Sequence, residues 1–347
     1  MGINLDIRSP LVNYQAGAST PKWLIIAKNV CHNLALKIRR SFGHTEALIG
    51  STHRALPVSA SVEYINRVFN GYLAYGSVSL DEICDKAVLE LGPGDNLGVA
   101  LRFLAAGASR VVCLDKFFSL RDVERERSIY LALRDRCSPL ERGRFDAAIR
   151  LDSGVTINPD RLEYRHGMGV EELGNQPGYA DAGFDLILSR AVLMEIHESD
   201  RAFVVLDRLL RPGGRMIHKI APLRDYGLFT LHGYHPLEFL TIPDLLYTLM
   251  ASDSGKPNRK LVGYYQEKMR ELSYDATFHI TRVLDQAGED LPPGVTQWGQ
   301  DGDALEGARA VVRAIRPRLL PRFRLAPDVD LMLEDFFLVA RKPAFGN

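Results

Sequence analysis

A short segment with two glycines contains residue types that could hold a ligand. Glu90 is the penultimate residue of an apolar run, Val88–Leu91, and Gly92 and Gly94 follow that run directly before a helical pattern begins. Glycines at such a turn let the backbone approach a ligand closely and leave the first amides of the helix exposed. The segment therefore predicts a ligand site at the end of a strand.

Residues around this loop distinguish between two kinds of nucleotide ligand. A dinucleotide site requires a third glycine at position 97, where Leu97 stands, and an acid directly before the loop, Glu90, also argues against NAD. Asp115 ends the next apolar run, where a carboxylate can accept hydrogen bonds from a ribose diol. We therefore expect a nucleoside-containing ligand, with no feature that requires a pyrophosphate.

The elements that must position these residues alternate along the chain. Short apolar runs and amphipathic helical patterns follow one another, which predicts a parallel sheet covered on both faces. The runs expected to be strands are Ala87–Leu91, Arg110–Asp115, Leu162–His166, Phe184–Ser189, Arg215–Ala221, Ala276–Leu284 and Asp335–Ala340.

The first 80 residues show a different pattern. Val62, Ile65, Phe69 and Tyr72 recur at helical spacing. We therefore divide the chain into an N-terminal helical cap at 1–80 and a larger α/β domain at 81–347. Two insertions, at about 222–273 and 285–333, interrupt that domain on the side expected to face a second substrate.

The composition excludes several classes of protein. The 43 Lys and Arg residues balance the 43 Asp and Glu residues, and 46% of the chain is hydrophobic, so neither disorder nor a globally basic nucleic-acid binder is expected. The four cysteines show no C-x-x-C spacing, which disfavours a zinc site and a disulfide framework and favours a reducing cytoplasm. No run of about 18 apolar residues predicts a membrane span, and no signal peptide is expected.

At these residues the sequence resembles the class I S-adenosylmethionine-dependent methyltransferases. Their first motif is an acid, x, Gly, x, Gly, and their second strand ends in a ribose-binding acid. Phe184–Ser189 is similar to their fourth strand and Leu210–Gly214 to the turn into their fifth, whereas Asn96 stands where many members have a third glycine. The resemblance, strong over about 86–221, implies a Rossmann-like seven-stranded methyltransferase sheet, mostly parallel with the last strand antiparallel, and S-adenosyl-L-methionine as cofactor.

The same resemblance implies which residues contact the cofactor. The methionine part would lie over Gly92 and Gly94, the ribose hydroxyls on Asp115, and the adenine beside Lys116 and Met168, although core packing is an alternative role for Met168. The full expected cofactor set is Glu90, Gly92, Gly94, Asp95, Asp115, Lys116, Met168, Gly169, Ser189 and Arg190.

A histidine-rich segment follows the fifth expected strand. The carboxyl ends of the strands face the ligand in such a fold, so His218 and the loop after it would border the methyl group. A hydroxyl acceptor must lose a proton, which a histidine with an acidic partner could remove. The expected catalytic residues are His218, Asp225 and His235. A structural hydrogen-bonding role and a metal role are alternatives, but the spacings fit no familiar zinc pattern and no metal is assigned.

The acceptor is expected to be a small molecule or a glycan. Ser189–Val192 lacks the Asn or Asp, Pro, Pro, aromatic motif of enzymes that act on flipped bases, so no nucleic-acid partner is expected. The arginines between 313 and 324 are more typical of an ion-paired surface than of a phosphate-binding surface.

The histidine-rich loop and the aromatic helical segment Tyr64–Tyr75 resemble a subgroup of methyltransferases associated with surface-polysaccharide and glycan gene clusters. This resemblance implies O-methylation of a sugar or glycan hydroxyl by direct in-line transfer. The faces on which a sugar could stack are Trp298, Tyr226, Tyr234 and Phe229, with core packing as the alternative. Methylation of another small metabolite and a non-catalytic S-adenosylmethionine-binding subunit are the other functions considered, and the sequence leaves open whether the chain forms a homodimer.

Overall fold

Seven strands form a central sheet in the computed structural model, which describes residues 18–44, 46–47, 52–179, 183–225, 227–284 and 302–344. The strands are β1 (Ala87–Leu91), β2 (Arg110–Asp115), β3 (Leu162–His166), β4 (Phe184–Arg190), β5 (Leu210–Ile220), β6 (Asp275–Val283) and β7 (Leu333–Arg341). Their order is β6-β7-β5-β4-β1-β2-β3. Strand β7 runs antiparallel to both of its neighbours, and the other adjacent pairs are parallel. The expected seven-stranded Rossmann-like sheet, mostly parallel with the last strand antiparallel, is confirmed.

The fifth strand differs from the prediction at its start. Leu210–Gly214 was expected to be a turn before β5, but Leu210 already pairs with Phe184 of β4. The register then shifts so that Arg215 pairs with Leu186. The predicted turn is therefore an irregularity inside β5, because pairing with β4 begins before the glycines.

Helices cover both faces of the sheet. They are α1 (Lys22–Ser41), α2 (Thr52–Ala55), α3 (Val58–Gly76), α4 (Gly98–Ala106), α5 (Val123–Asp135), α6 (Pro139–Ala148), α7 (Val170–Leu173), α8 (Ser199–Leu209), α9 (Asp244–Ala251), α10 (Val262–Glu271), α11 (Gly302–Ile315), α12 (Pro321–Arg324) and α13 (Asp328–Met332). Two-residue ladders join 46–47 to 118–119 and 149–150 to 156–157.

Alternate residues of each strand supply the two halves of the core. In β1, Val88 packs with helices α3 to α6, whereas Leu89 and Leu91 pack with the helices from α7 onwards. This alternation follows from the two-residue repeat of a strand, and a sheet that is covered on both faces needs apolar residues at both sets of positions.

The helices of the first 80 residues lie on different faces of the sheet. Tyr75 of α3 stacks on Phe337 of β7 with ring centroids 4.0 Å apart. Ile25 of α1 belongs to the core on the opposite face, and Asn33 of α1 donates a hydrogen bond to the Leu249 carbonyl of α9 at 3.1 Å. The segment predicted to be one cap therefore supplies a wall to each side of the molecule.

Within the described ranges, none of the helices has the length and apolar character needed to cross a membrane.

Candidate active site

Gly92 and Gly94 form the turn between β1 and α4. Both have positive φ, +68° and +70°, a conformation that glycine adopts without strain. A Cβ atom on Gly92 would lie 2.3 Å from Cγ2 of Val192, in the loop after β4. Gly92 thus lets the loops after β1 and β4 approach each other closely at the carboxyl edge of the sheet.

Two acids lie beside this turn in surroundings that disfavour their charge. Glu90 is 6% exposed, the Cys113 thiol donates to its Oε2 at 3.5 Å, and burial raises the pKa of Glu90 to about 7. Asp115 ends β2 and accepts a hydrogen bond from the Phe117 amide at 3.1 Å, and burial raises its pKa to about 6. A raised pKa means that a cationic or hydrogen-bond-donating ligand would stabilise each carboxylate. A ligand with a positive centre and a ribose diol meets both needs.

The carboxylate of Asp95 does not face this ligand site. It accepts hydrogen bonds from the backbone amides of His53 at 3.3 Å and Arg54 at 3.0 Å, and the residue is 7% exposed. Cofactor binding by Asp95 stays a prediction that these contacts do not favour, since the first turn of α2 uses both carboxylate oxygens. Asp95 instead fixes α2 against the glycine turn.

Arg121 supports the glycine turn from the other side, and the sequence analysis missed it. Its guanidinium donates to the Gly94 carbonyl at 3.2 Å and to Glu126 at 3.2 Å, and it lies 4.2 Å from the centre of the Tyr164 ring. No motif surrounds this residue in the sequence. Only the folded contacts reveal its role.

The residues after β3 combine a tight turn with an acid. The Gly169 amide donates to the Glu172 carboxylate at 3.0 Å at the start of α7. Met168 is half-buried and packs against the core, so its position fits both of its predicted roles. Oε2 of Glu171 is buried and has no hydrogen-bond partner in the described part of the chain. Glu171 therefore offers an acceptor beside the predicted adenine position.

Ser189 and His218 form a buried pair across β4 and β5. The Ser189 hydroxyl lies 2.7 Å from Nδ1 of His218, and both residues are 0% exposed. Burial lowers the pKa of His218 to about 3, so the ring is neutral. The side chains of these two predicted site residues contact each other inside the core, so neither can contact an acceptor in the conformation described.

Asp225 and His235 have structural partners. Asp225 accepts hydrogen bonds from the amides of Gly227 at 2.9 Å, Leu228 at 2.5 Å and Thr230 at 3.2 Å, and from that of Phe229.

Both ring nitrogens of His235 are used in the same way. Nδ1 accepts from the Leu237 amide at 3.0 Å, and Nε2 lies 3.0 Å from the Val311 carbonyl. The catalytic group made of His218, Asp225 and His235 therefore stays a prediction that these contacts disfavour, because burial or backbone hydrogen bonds engage each member.

The predicted sugar-stacking faces are likewise not available as a group. Phe229 is 0% exposed and packs in the core. The hydroxyl of Tyr234 donates to the Thr20 carbonyl at 3.0 Å. Tyr226 and Trp298 lie outside the described residues.

The side chains of Lys116 and Arg190 lie near elements other than the glycine turn. Nζ of Lys116 lies 3.7 Å from a carboxylate oxygen of Asp253, in the segment after α9. The Arg190 guanidinium lies 6.0 Å from the centre of the Tyr64 ring of α3. Lys116 thus joins the end of β2 to the segment after α9.

A large cavity opens next to the predicted cofactor residues. Its volume is about 1090 Å³, and its lining includes Lys116, Glu171, His197, Asp253 and Tyr264. Thirteen of its 21 lining residues are charged, whereas most small-molecule pockets are lined mainly by apolar side chains. A hydrophilic ligand fits this lining best.

His197 is the histidine that lines this cavity, and the sequence analysis missed it. It follows β4 and the short helical turn Leu193–Glu195. Its Nε2 lies 3.2 Å from the Lys256 carbonyl, and since a carbonyl only accepts, Nε2 carries the proton and Nδ1 the lone pair. Burial lowers the pKa of His197 below its usual value, so the ring is neutral at pH 7 and can accept a proton. Its position after the fourth strand was the only indication in the sequence.

Two further predictions concern metals and the arginine-rich segment. In the parts of the chain that the structure describes, no group of three or more His, Cys, Asp or Glu residues is arranged to hold a metal ion. The arginines near the C-terminus form ion pairs, as Arg318 does with Glu238 at 2.5 Å and Arg322 with Asp244 at 2.6 Å. This pairing agrees with the expected ion-paired surface.

Comparison with known proteins supports the same class of enzyme. A family model described as a methyltransferase domain matches residues 155–218, from before β3 into β5. No curated protein sequence matches the chain.

Solved structures with similar folds include the [4+2]-cyclase SpnF, with 15% identity over 94% of this chain and 98% of that one and a TM-score of 0.41. An S-adenosylmethionine-dependent methyltransferase from Mesorhizobium loti has 17% identity, coverages of 82% and 100% and a TM-score of 0.36. Phosphoethanolamine N-methyltransferase 2 from Haemonchus contortus, in complex with S-adenosyl-L-methionine, has 13% identity, coverages of 79% and 60% and a TM-score of 0.36. Overlaps this low do not define a shared activity.

The methyltransferase-domain match over residues 155–218 and the strand order support an S-adenosylmethionine-dependent methyltransferase. The predicted enzyme class and cofactor are confirmed.

Proposed function

We propose that this enzyme methylates a hydroxyl group of a sugar-containing acceptor that binds in the cavity of about 1090 Å³. The charged lining of that cavity is the observation that supports the proposal. Carboxylates and guanidinium groups hydrogen-bond well to hydroxyl-rich ligands, whereas a flat apolar acceptor would desolvate them without forming hydrogen bonds in return. The glycan-related resemblance of the sequence points to the same class of acceptor.

The residues at the strand ends fit the cofactor. Its sulfonium carries the electrophilic methyl group and a positive charge. The buried carboxylates of Glu90 and Asp115 favour a positive charge and a ribose diol, respectively. Gly92 and Gly94 would border the methionine part, and Lys116, Met168 and Gly169 the adenine. Arg121 holds the glycine turn through the Gly94 carbonyl, at 3.2 Å.

His197 is the proposed general base. Its Nε2–H is directed to the Lys256 carbonyl, so its Nδ1 can accept the proton that the acceptor hydroxyl loses. Its lowered pKa keeps the ring neutral, which is the form a base requires. The reaction otherwise needs alignment of the acceptor oxygen with the methyl group, and rigid cavity walls supply that alignment. Direct in-line transfer needs no covalent enzyme intermediate.

A cytoplasmic location is part of this proposal. All four cysteines are free thiols, as is usual for proteins of a reducing compartment.

A turnover screen tests the proposed function. The full chain is incubated with methyl-labelled S-adenosylmethionine and three panels of acceptors: neutral oligosaccharides, sugar nucleotides, and non-sugar amines and acids. We expect labelled O-methyl product from at least one of the two sugar panels. Transfer to the non-sugar panel alone would favour methylation of another metabolite. Binding of S-adenosylmethionine without any turnover would favour a non-catalytic subunit.

A further inference from the structure

Three cations lie around a single carboxylate in the lining of the cavity. Asp253 forms ion pairs with Arg40 at 2.9 Å and with Lys116 at 3.7 Å. Lys37 is close enough that its positive charge also lowers the pKa of Asp253. All four residues line the cavity. This group, which we call the Asp253 cluster, carries an excess of positive charge.

The Asp253 cluster is held in place by buried hydrogen bonds. Asn33 of α1 is 3% exposed, and its Nδ2 donates to the Ser252 hydroxyl at 3.1 Å. Its Oδ1 accepts from the Asp253 amide at 2.8 Å, and the Ser252 hydroxyl donates to the Asp253 carboxylate at 2.8 Å. These bonds fix Asp253 relative to α1, which carries Lys37 and Arg40. Buried hydrogen bonds therefore help to hold the three cations close to one another.

Positive and negative side chains of the cavity lining also lie on different elements. A second lining carboxylate, Asp244, is shared by Arg259 and Arg322, so cations outnumber acids there too. The carboxylates of Glu171 and Glu267 lie on α7 and α10 instead. A ligand with an anionic group and several hydroxyl groups could satisfy both kinds of site, because carboxylates accept hydrogen bonds from hydroxyls and cations bind anionic oxygens.

We propose that the Asp253 cluster binds a phosphate or diphosphate group carried by the acceptor. This inference rests on the proposed function and specifies its substrate class as a phosphorylated sugar. A phosphate group has several anionic oxygens, and two guanidinium or ammonium groups at one site bind it better than one. The diphosphate of a sugar nucleotide and that of a lipid-linked sugar share this chemistry. The phosphate would hold the acceptor at Lys37 and Arg40, while its sugar extends towards His197.

The first test measures binding of inorganic diphosphate by calorimetry to the full chain saturated with S-adenosylhomocysteine. Saturation removes any contribution of the cofactor site, and the ionic strength is held constant because salt weakens such contacts. Arg40→Ala should weaken binding about tenfold or more, because a charged hydrogen bond is lost. Asp253→Asn should strengthen binding about 3- to 10-fold, because a carboxylate that competes for the same cations loses its charge.

Arg201→Ala is the matched control. Arg201 lines the same cavity, but it pairs with Glu198 at 3.3 Å instead of Asp253. Its loss changes the net charge by the same amount and should leave diphosphate affinity within about twofold, since an exposed pair contributes little. No binding of diphosphate, equal losses in Arg40→Ala and Arg201→Ala, or weaker binding in Asp253→Asn would each overturn the proposal.

A competition experiment distinguishes the two sources of the diphosphate. Displacement of inorganic diphosphate by UDP assigns the site to a sugar nucleotide, and displacement by farnesyl diphosphate assigns it to a lipid-linked sugar. Displacement by neither overturns the assignment of the cluster to the acceptor. Failure of this inference and failure of the proposed function can be distinguished. Diphosphate binding without sugar methylation contradicts only the proposed function. Methylation of neutral sugars without diphosphate binding contradicts only this inference.

Discussion

The proposed cofactor-binding half and the proposed acceptor-binding half of the carboxyl edge, called the cofactor half and the acceptor half below, hold their residues by different means. In the cofactor half, Glu90, Gly92 and Asp115 lie in a strand or directly after one. In the acceptor half, His197 follows a 3-10 turn, and Asp253 is held by Asn33, which is 220 positions away along the chain. Backbone pairing in the sheet thus places the first group, whereas contacts between distant segments place the second.

This difference has a consequence for function. Strand register is strongly specified in a sheet with buried faces, so the proposed cofactor residues are positioned by a rigid part of the fold. The acceptor half is built from α1, the segment around 252–261 and the residues after β4, all of which lie outside the strands of the sheet. Loops on a rigid scaffold are where substrate choice is usually found.

The prediction with the largest expected effect tests whether the cofactor half depends on the close approach of Gly92 to Val192. Gly92→Val should abolish S-adenosylmethionine binding, because the new Cβ would lie 2.3 Å from Val192 and the residue would keep a φ of +68°. Calorimetry measures binding and thermal melting measures folding. Gly178→Val is the matched control, since Gly178 has a φ of +84° but nothing within 4 Å of an added Cβ. Tight binding by a folded Gly92→Val protein would show that the loops can separate without loss of the site.

The second prediction tests the acceptor half. His197→Gln should lower kcat about 10²- to 10⁴-fold, because glutamine can still donate to the Lys256 carbonyl but cannot take a proton at neutral pH. The Kd of S-adenosylmethionine should barely change. Wild-type kcat should fall only below the usual histidine range, where the ring, with its lowered pKa, becomes protonated. His235→Gln should keep its kcat while losing stability, and the reverse result for these two variants would return the catalytic role to His235.

Much of the cofactor half could be predicted from the sequence. Buried parallel strands are continuous apolar runs, so the bounds of β1, β2 and β3 agree with the prediction. The acids at their ends followed from the same pattern. The predicted start of β5 was wrong because a Pro-Gly-Gly sequence is typical of a turn. Only the pairing of Leu210 with Phe184 shows that this sequence lies within a strand.

The acceptor half could not be predicted in the same way. A histidine in the sequence carries no sign of its hydrogen-bond partners, and His235 has one 76 positions away, at the Val311 carbonyl. The same limit hid Arg121, whose contacts, Gly94, Glu126 and Tyr164, lie on three different segments. His197 stands in a stretch with no motif, and its role depends on the Lys256 carbonyl that fixes its tautomer.

The third prediction concerns stability in the cofactor half. Because Glu90 has a pKa of about 7 when folded and about 4.3 when unfolded, the folded state binds the proton more tightly. Its stabilising contribution is therefore complete below the unfolded pKa and is lost as the pH rises through about 7. Without cofactor, the free energy of unfolding should therefore fall between pH values equal to these two pKa values. The fall should be roughly 3 kcal/mol larger in the wild type than in Glu90→Gln. Urea unfolding at several pH values measures this difference, and parallel profiles would show that Glu90 does not titrate in this range.

The smallest expected effect tests the ribose contact. Asp115→Ala should weaken S-adenosylmethionine binding by about 2 kcal/mol, or about 30-fold, the cost of losing hydrogen bonds to a charged group. Since the pKa of Asp115 is about 6, wild-type affinity should also fall as the pH drops through that value, because a protonated carboxyl accepts less strongly from the diol. Asp115→Asn should lack this dependence, and Lys116→Ala is the neighbouring control that keeps it. An unchanged Kd in folded Asp115→Ala would contradict the ribose contact and would show that the residue ending β2 does not bind the cofactor directly.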